Sequence, residues 1–329
     1  MTQYNFSPLK GVISVQHATV NNQVQDNLIE YFDYALLDKG NYFNVSLGET
    51  DYNGEDFSRL RPARSEIYPS GQVWEGFRKN WVWQSGLAPS GKEPPIVGTN
   101  PNFPGISGVY IDGQFEPTSG VGPYKHHIDY LNGRVVFDSP VPTGTVVQAE
   151  YSHKYINVVY ANNLPWLRQV QTETRYPTPN YLEINQGKWD LPPEARLQLP
   201  AIAIEMVPQR AYKGYQLGGG QVVYQDVVYH CLAEDEYTRN QLVDIISYQN
   251  DKTIFMFNLN TVYDSGAYPI DYRGMPVPSA LLYPELLDQY SNGGRMRTTK
   301  TNVSEMIALN GDVFGGVVRT TVELIKTNI

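Results

Sequence analysis

Apolar residues recur at spacing four from Val24 through Leu28 and Phe32 to Leu36, with Tyr31 and Ala35 beside them. That period predicts an amphipathic helix of about four turns. Asn21 and Asn22 offer N-capping side chains ahead of it, and Gly40 suits a left-handed cap behind it. Upstream, Val12 to Gln16 alternates as a short strand inside an extended arm of residues 1–20. Downstream, Tyr42–Val45 has the composition of a strand.

The pattern then changes period. From about 47 to 105 it breaks up among prolines, glycines and turn residues, a stretch that carries Trp74, Trp81 and Trp83. Asp112-Gly113 marks a hairpin within 106–115. Residues 124–159 read as three strand-like runs punctuated by Asn132-Gly133 and Pro142-Thr143-Gly144. Asn-Gly suits a two-residue type I′ turn, so these runs predict an antiparallel meander. Residues 161–200 are proline-rich and read as a linker returning the chain to the first unit.

A second α/β pattern opens at Pro200. Strands are expected at 201–207 and 221–232, around the glycines 218–220. A helix follows over 237–249 with Asp235 as its N-cap, then a strand at 252–258. Residues 259–294 read as a loop, and two last strands, about 295–309 and 315–326, meet at Asn310-Gly311. The expected fold is α+β: a small antiparallel sheet with two helices on one face, carrying a large inserted all-β domain. Residues 1–46 and 200–329 form the discontinuous first domain, and 47–199 form the insertion.

Composition sharpens this. Tyr is abundant at 25 residues against 11 Phe, while charged residues are only 18%. Low charge with much Tyr fits a surface covered by partners. The net charge of −9 argues against a protein that wraps DNA, but a negative wall lets DNA slide through a conduit. The single cysteine, Cys231, lies in an apolar strand pattern, so it reads as a core residue in a chain assembled in a reducing cytosol. The first residues lack the basic-then-apolar pattern of a signal peptide, and no apolar run is long enough to span a membrane.

Candidate chemistry is sparse. Gly218-Gly219-Gly220 precedes a strand and lacks a following Gly-Lys-Ser/Thr, so it is a turn rather than a phosphate loop. His126, His127 and His153 lie near Asp129, but adjacent strand residues face opposite ways, which disfavours one metal site. Glu234, Asp235 and Glu236 sit at a helix start, where they complement the helix dipole. No nucleophile elbow, His-Glu-x-x-His or cofactor motif occurs, so no catalytic, cofactor or metal residue is assigned and the chain is not expected to be an enzyme. Trp74, Trp81 and Trp83, with Tyr4 and Phe6 of the arm, are the interface candidates; local core and stacking on sugars are the other roles for the tryptophans.

The block KGYQLGGGQVVYQDVVYHCLAEDEYTRNQLVDIISYQ, followed by KTIFMFN and GGVVRTTVELI, resembles structural proteins of tailed bacteriophages. The segment NNQVQDNLIEYFDYALLDKGNYFNV is similar to the opening of phage virion proteins, and the order of elements is similar to that of tail-terminator and neck proteins. The resemblance covers roughly 12–45 and 200–329; ordinary terminators lack the insertion. It implies a homohexameric ring in the virion neck or tail, assembled in the host cytoplasm. Its neighbours would be other neck, tail-tube or sheath proteins, and genomic DNA would pass through without specific binding. Channel-lining candidates are Glu234, Asp235, Glu236, Glu285 and Asp288. A baseplate- or fibre-associated β-rich adhesin that binds glycans is the alternative.

Overall fold

A computed structural model describes residues 16, 18–50, 54, 56–63, 67–97, 106–161, 172–173, 197–216, 219–278, 280–310 and 313–326. The protein is mixed helix and sheet but mostly β, with a curled sheet: 40% of it is strand and 19% helix. The chain opens with helix α1 (Val20–Asp38) and strand β1 (Tyr42–Val45). Short strands fill the middle: β2 (Arg61–Pro62), β3 (Val73–Glu75), β4 (Gly108–Ile111), β5 (Gln114–Pro117), β6 (His126–Asp129) and β7 (Arg134–Phe137). They continue as β8 (Val147–Gln148), β9 (Tyr151–Lys154), β10 (Asn157–Tyr160), β11 (Thr172–Glu173) and β12 (Leu197–Gln198). Long strands β13 (Ala201–Gln216) and β14 (Gly219–Ala233) lead to helix α2 (Glu236–Ser247) and β15 (Thr253–Met256). Helices α3 (Leu259–Asp264) and α4 (Tyr283–Gln289) precede the last pair, β16 (Gly294–Asn310) and β17 (Val313–Lys326).

The main sheet has the order β10-β13-β14-β17-β16-β15. It is antiparallel except for β10, which runs parallel to β13 with Asn157 opposite Ala201. Both long helices lie on one of its faces. Val24, Leu28 and Phe32 of α1 and Leu242, Val243 and Ile246 of α2 share a core with Ile202, Tyr229, Cys231, Val318 and Val322. That is the arrangement expected from the apolar period. One strand of it, 157–160, comes from the stretch assigned to the inserted region.

Local rules explain the helix ends. Thr19, not Asn21, caps α1, and the Asn22 side chain answers it in a capping box. Gly40 sits at φ +84° and closes the C-terminus, with its N–H on the Leu37 carbonyl at 2.9 Å. Asp235 caps α2 as expected, accepting the Thr238 N–H at 2.7 Å. Helices α3 and α4 occupy the stretch expected to be loop. Each is short, and Asn258 and Glu285 supply their capping contacts.

The middle strands do not form a meander. β6 and β7 belong to a four-stranded sheet of order β2-β3-β7-β6, β8 pairs with β4, β9 with β1, and β10 joins the main sheet. The turn between β6 and β7 is four residues, 130–133, rather than a two-residue type I′ turn. Tyr130 explains it: its ring is buried, and its hydroxyl accepts the Ile106 N–H at 2.6 Å, pulling the turn inward. Asp129 then holds the turn, accepting the Asn132 N–H at 3.1 Å and bonding Arg134 at 2.8 Å. Gly133, at φ +61°, passes 2.4 Å from the Arg78 carbonyl when given a Cβ, so only glycine fits. Asp112 and Gly113 do form the expected two-residue hairpin loop, both at positive φ.

A second core fills this middle region, with Trp74, Trp81, Trp83, Ile128, Phe137 and Tyr151 at its centre. It is tied to the first by polar contacts. Asn41 both donates to and accepts from the Ile156 backbone, at 2.9 and 2.7 Å. The buried Arg78 donates to the Leu199 carbonyl at 2.8 Å. Tyr130 N–H bonds the Gly274 carbonyl at 2.9 Å, and Ile270 and Leu282 pack on the second core.

Candidate functional site

The long strands outrun their neighbours. β13 pairs with β10 only over 201–204, so 205–216 has no strand on its outer side among the described residues. β16 pairs with β15 only over 294–297, and beyond Thr298 its outer side is likewise without a strand among the described residues. A strand edge left open is a template for another chain. Here the edge strands are irregular. β13 shifts register between Met206 and Arg210, around Pro208, and β16 shifts at 298/300, 303/305 and 308/310. Bulges and edge lysines such as Lys213 and Lys300 are features that discourage indiscriminate edge pairing. Apolar side chains are exposed along both: Tyr212 at 53%, Val303 at 49% and Met306 at 42%.

The sheet face opposite the helices is apolar at one end, where Leu199, Ala201, Leu232 and Val313 cluster, and carries charges of both signs beyond it. Arg319 bonds Asp226 through Nε at 3.1 Å, and the Thr321 hydroxyl donates to the same carboxylate at 2.7 Å. Partial burial alone would raise the Asp226 carboxyl, but Thr321 and Arg319 hold it below the ordinary carboxylate range. His230 Nε2 meets Glu205 at 2.8 Å, and the Lys213 ammonium lies 4.9 Å above the Tyr224 ring.

The residues singled out from the sequence separate on this framework. Trp74, Trp81 and Trp83 are all buried, so they are core and not a surface for a partner. The indole N–H groups of Trp74 and Trp81 donate to the Gly71 and Arg78 carbonyls at 2.9 and 2.8 Å. Tyr4 and Phe6 lie outside the described residues. Asp235 and Glu285 are capping residues; Glu285 accepts the Leu282 N–H at 2.7 Å. Glu236 pairs with Arg239 at 2.8 Å, Glu234 is half-buried, and Asp288 is exposed. These acids therefore mark the ends of two different helices. His126 and His127 point to opposite faces of β6, and burial lowers the pKa of both. His153 is buried against Phe77. Among the described residues no group of three or more His, Cys, Asp or Glu is placed to hold a metal. Cys231 sits in the main core, where burial pushes its thiol up to about 12. No helix among the described residues is long and apolar enough to cross a membrane.

No family model and no curated protein matches the chain. What the chain can do therefore rests on its own geometry.

One cluster has no counterpart among the residues singled out from the sequence. Asp26, Glu30 and Asp33 line one side of α1, beside the apolar stripe rather than opposite it. Asp26 and Asp33 are buried and Glu30 is partly buried. The signal was present as acids at i, i+4 and i+7, but a polar helix side normally reads as a solvated one.

Proposed function

We propose that this chain is a ring-forming structural component of a tailed-phage virion, placed at the neck or tail terminus between the head connector and the tail. The observation that carries the proposal is the pair of edges on one sheet that no strand among the described residues covers. β13 and β16 are the outer two of the four long strands, so copies arranged head-to-tail present one edge to the other, and only a closed ring satisfies every edge. The remaining partners in this reading are other neck, tail-tube or sheath proteins. DNA passes through the bore unbound, and the acidic ends of α2 and α4, with Glu234, Asp235, Glu236, Glu285 and Asp288, are the proposed lining. A repulsive lining keeps a stiff polyanion centred, whereas a basic one holds it by counterion release. The adhesin alternative loses its support, because the three tryptophans that would stack on a sugar are buried. Antibody-gold labelling of particles of the phage that encodes the chain tests the station. Label at the head–tail junction or the tail's head-proximal end is expected; label confined to fibres or baseplate overturns it.

A further inference from the structure

The seat of α1 holds more negative charge than it can balance. Asp33 forms an ion pair with Lys154 of β9 at 2.6 Å, both side chains only 12% exposed, and accepts from Gln84 at 3.1 Å. Two turns earlier, Asp26 accepts from the Tyr263 hydroxyl of α3 at 3.5 Å; burial raises its carboxyl, against the pull of the Tyr160 and Tyr263 hydroxyls. Tyr160 in turn meets Tyr268 hydroxyl to hydroxyl at 3.5 Å. Glu30 stands between these two acids. Its charge reaches Tyr263, Tyr268 and, on α4, Tyr283. Among the described residues Lys154 is the one cation that acts on Glu30, against two neighbouring carboxylates. Three carboxylates at reduced dielectric with one cation cannot all stay ionised without strain, and a proton is the simplest relief.

We propose that this seat is a proton-operated latch: a proton held between Asp26 and Glu30, beside the ion-paired Asp33, lets α1 close against β10 and α3, and its loss loosens that contact. The latch stands whether or not the ring reading does. Glu30 is the group that carries the proton near neutrality. Burial first, then the charges of Asp33 and Asp26, raise its carboxyl to about 7, against the pull of Lys154. A carboxyl raised above its unfolded value of 4.5 binds more protons in the folded state. Stability from this group is therefore full below that value, falls as pH rises, and is gone above about 7. His126 and His127, lowered by burial, work in the opposite sense in part of that window, so the wild-type curve alone does not isolate the latch.

The test is the melting temperature of the full chain from pH 5 to 8, wild type against Glu30→Gln, with hydrogen exchange of the 20–38 segment measured alongside. The expected result is that wild type loses several degrees relative to Glu30→Gln as pH rises, and that α1 loses protection in step. In Lys154→Met, still titrating at Glu30, the same transition moves to higher pH because the cation is gone. Parallel wild-type and Glu30→Gln curves, or a folded Lys154→Met whose transition stays in place or moves to lower pH, overturn the proposal. Should Lys154→Met fail to fold, the Glu30→Gln comparison decides alone.

Discussion

Trp81 stacks on Tyr151 with ring centroids 4.1 Å apart, and both rings are fully enclosed in the second core. Truncation there removes a large buried ring and leaves a cavity, so Trp81→Ala is expected to cost about 3–5 kcal/mol. Tyr272, 96% exposed, provides the contrast: Tyr272→Ala stays within about 0.5 kcal/mol. Equilibrium denaturation of both variants checks the difference, and equal losses would contradict the core placement. Residue type announced that the tryptophans mattered, but not on which side of the protein surface they lie. That depends on long-range packing between residues such as Trp81 and Tyr151, separated along the chain by five strands. The acids of α1 were misleading for the same reason. Their spacing was readable, yet only the arrival of Lys154, Tyr160 and Tyr263 from distant segments turns that side of the helix inward.

Elements with a strong period and a chemical cap were legible. α1, α2 and the long strands β14, β16 and β17 were expected near where they stand, and Asp235 caps as its type predicts. The stretch 124–159 was read as strand, but its three expected runs are five strands, β6 to β10, and their pairing was not legible. Pairing is set by burial of Tyr130 and by competition from β1, β4 and β13, none of which is a sequence neighbour. α3 and α4 span fewer than three turns, too little for a period to emerge. The outer edge of β16 is where element and function meet. Val303→Lys with Met306→Lys places two charges on exposed apolar positions of that edge. The variant is expected to keep the wild-type unfolding curve as an isolated subunit while its self-assembly, read by size-exclusion chromatography with light scattering, falls at least tenfold in affinity, since each unpaired charge brought into an interface is costly. Unchanged assembly would remove β16 from the contact.

At the scale of the molecule, two cores share one chain through polar joints at Asn41, Arg78 and Gly274, and the main sheet borrows β10 from the middle region. The β-rich region is thereby braced against the sheet on the side of α1. This geometry gives the ring proposal its form: neighbours meet through sheet edges and not through the tryptophan core. The direct measurement is native mass spectrometry of the purified full-length chain, alone and with the tail tube of the same particle, followed by a density map of the species found. The account predicts a closed ring of six subunits with the outer edges of β13 and β16 buried between neighbours. A chain that stays monomeric under both conditions, or a ring that leaves both edges in solvent, would contradict it.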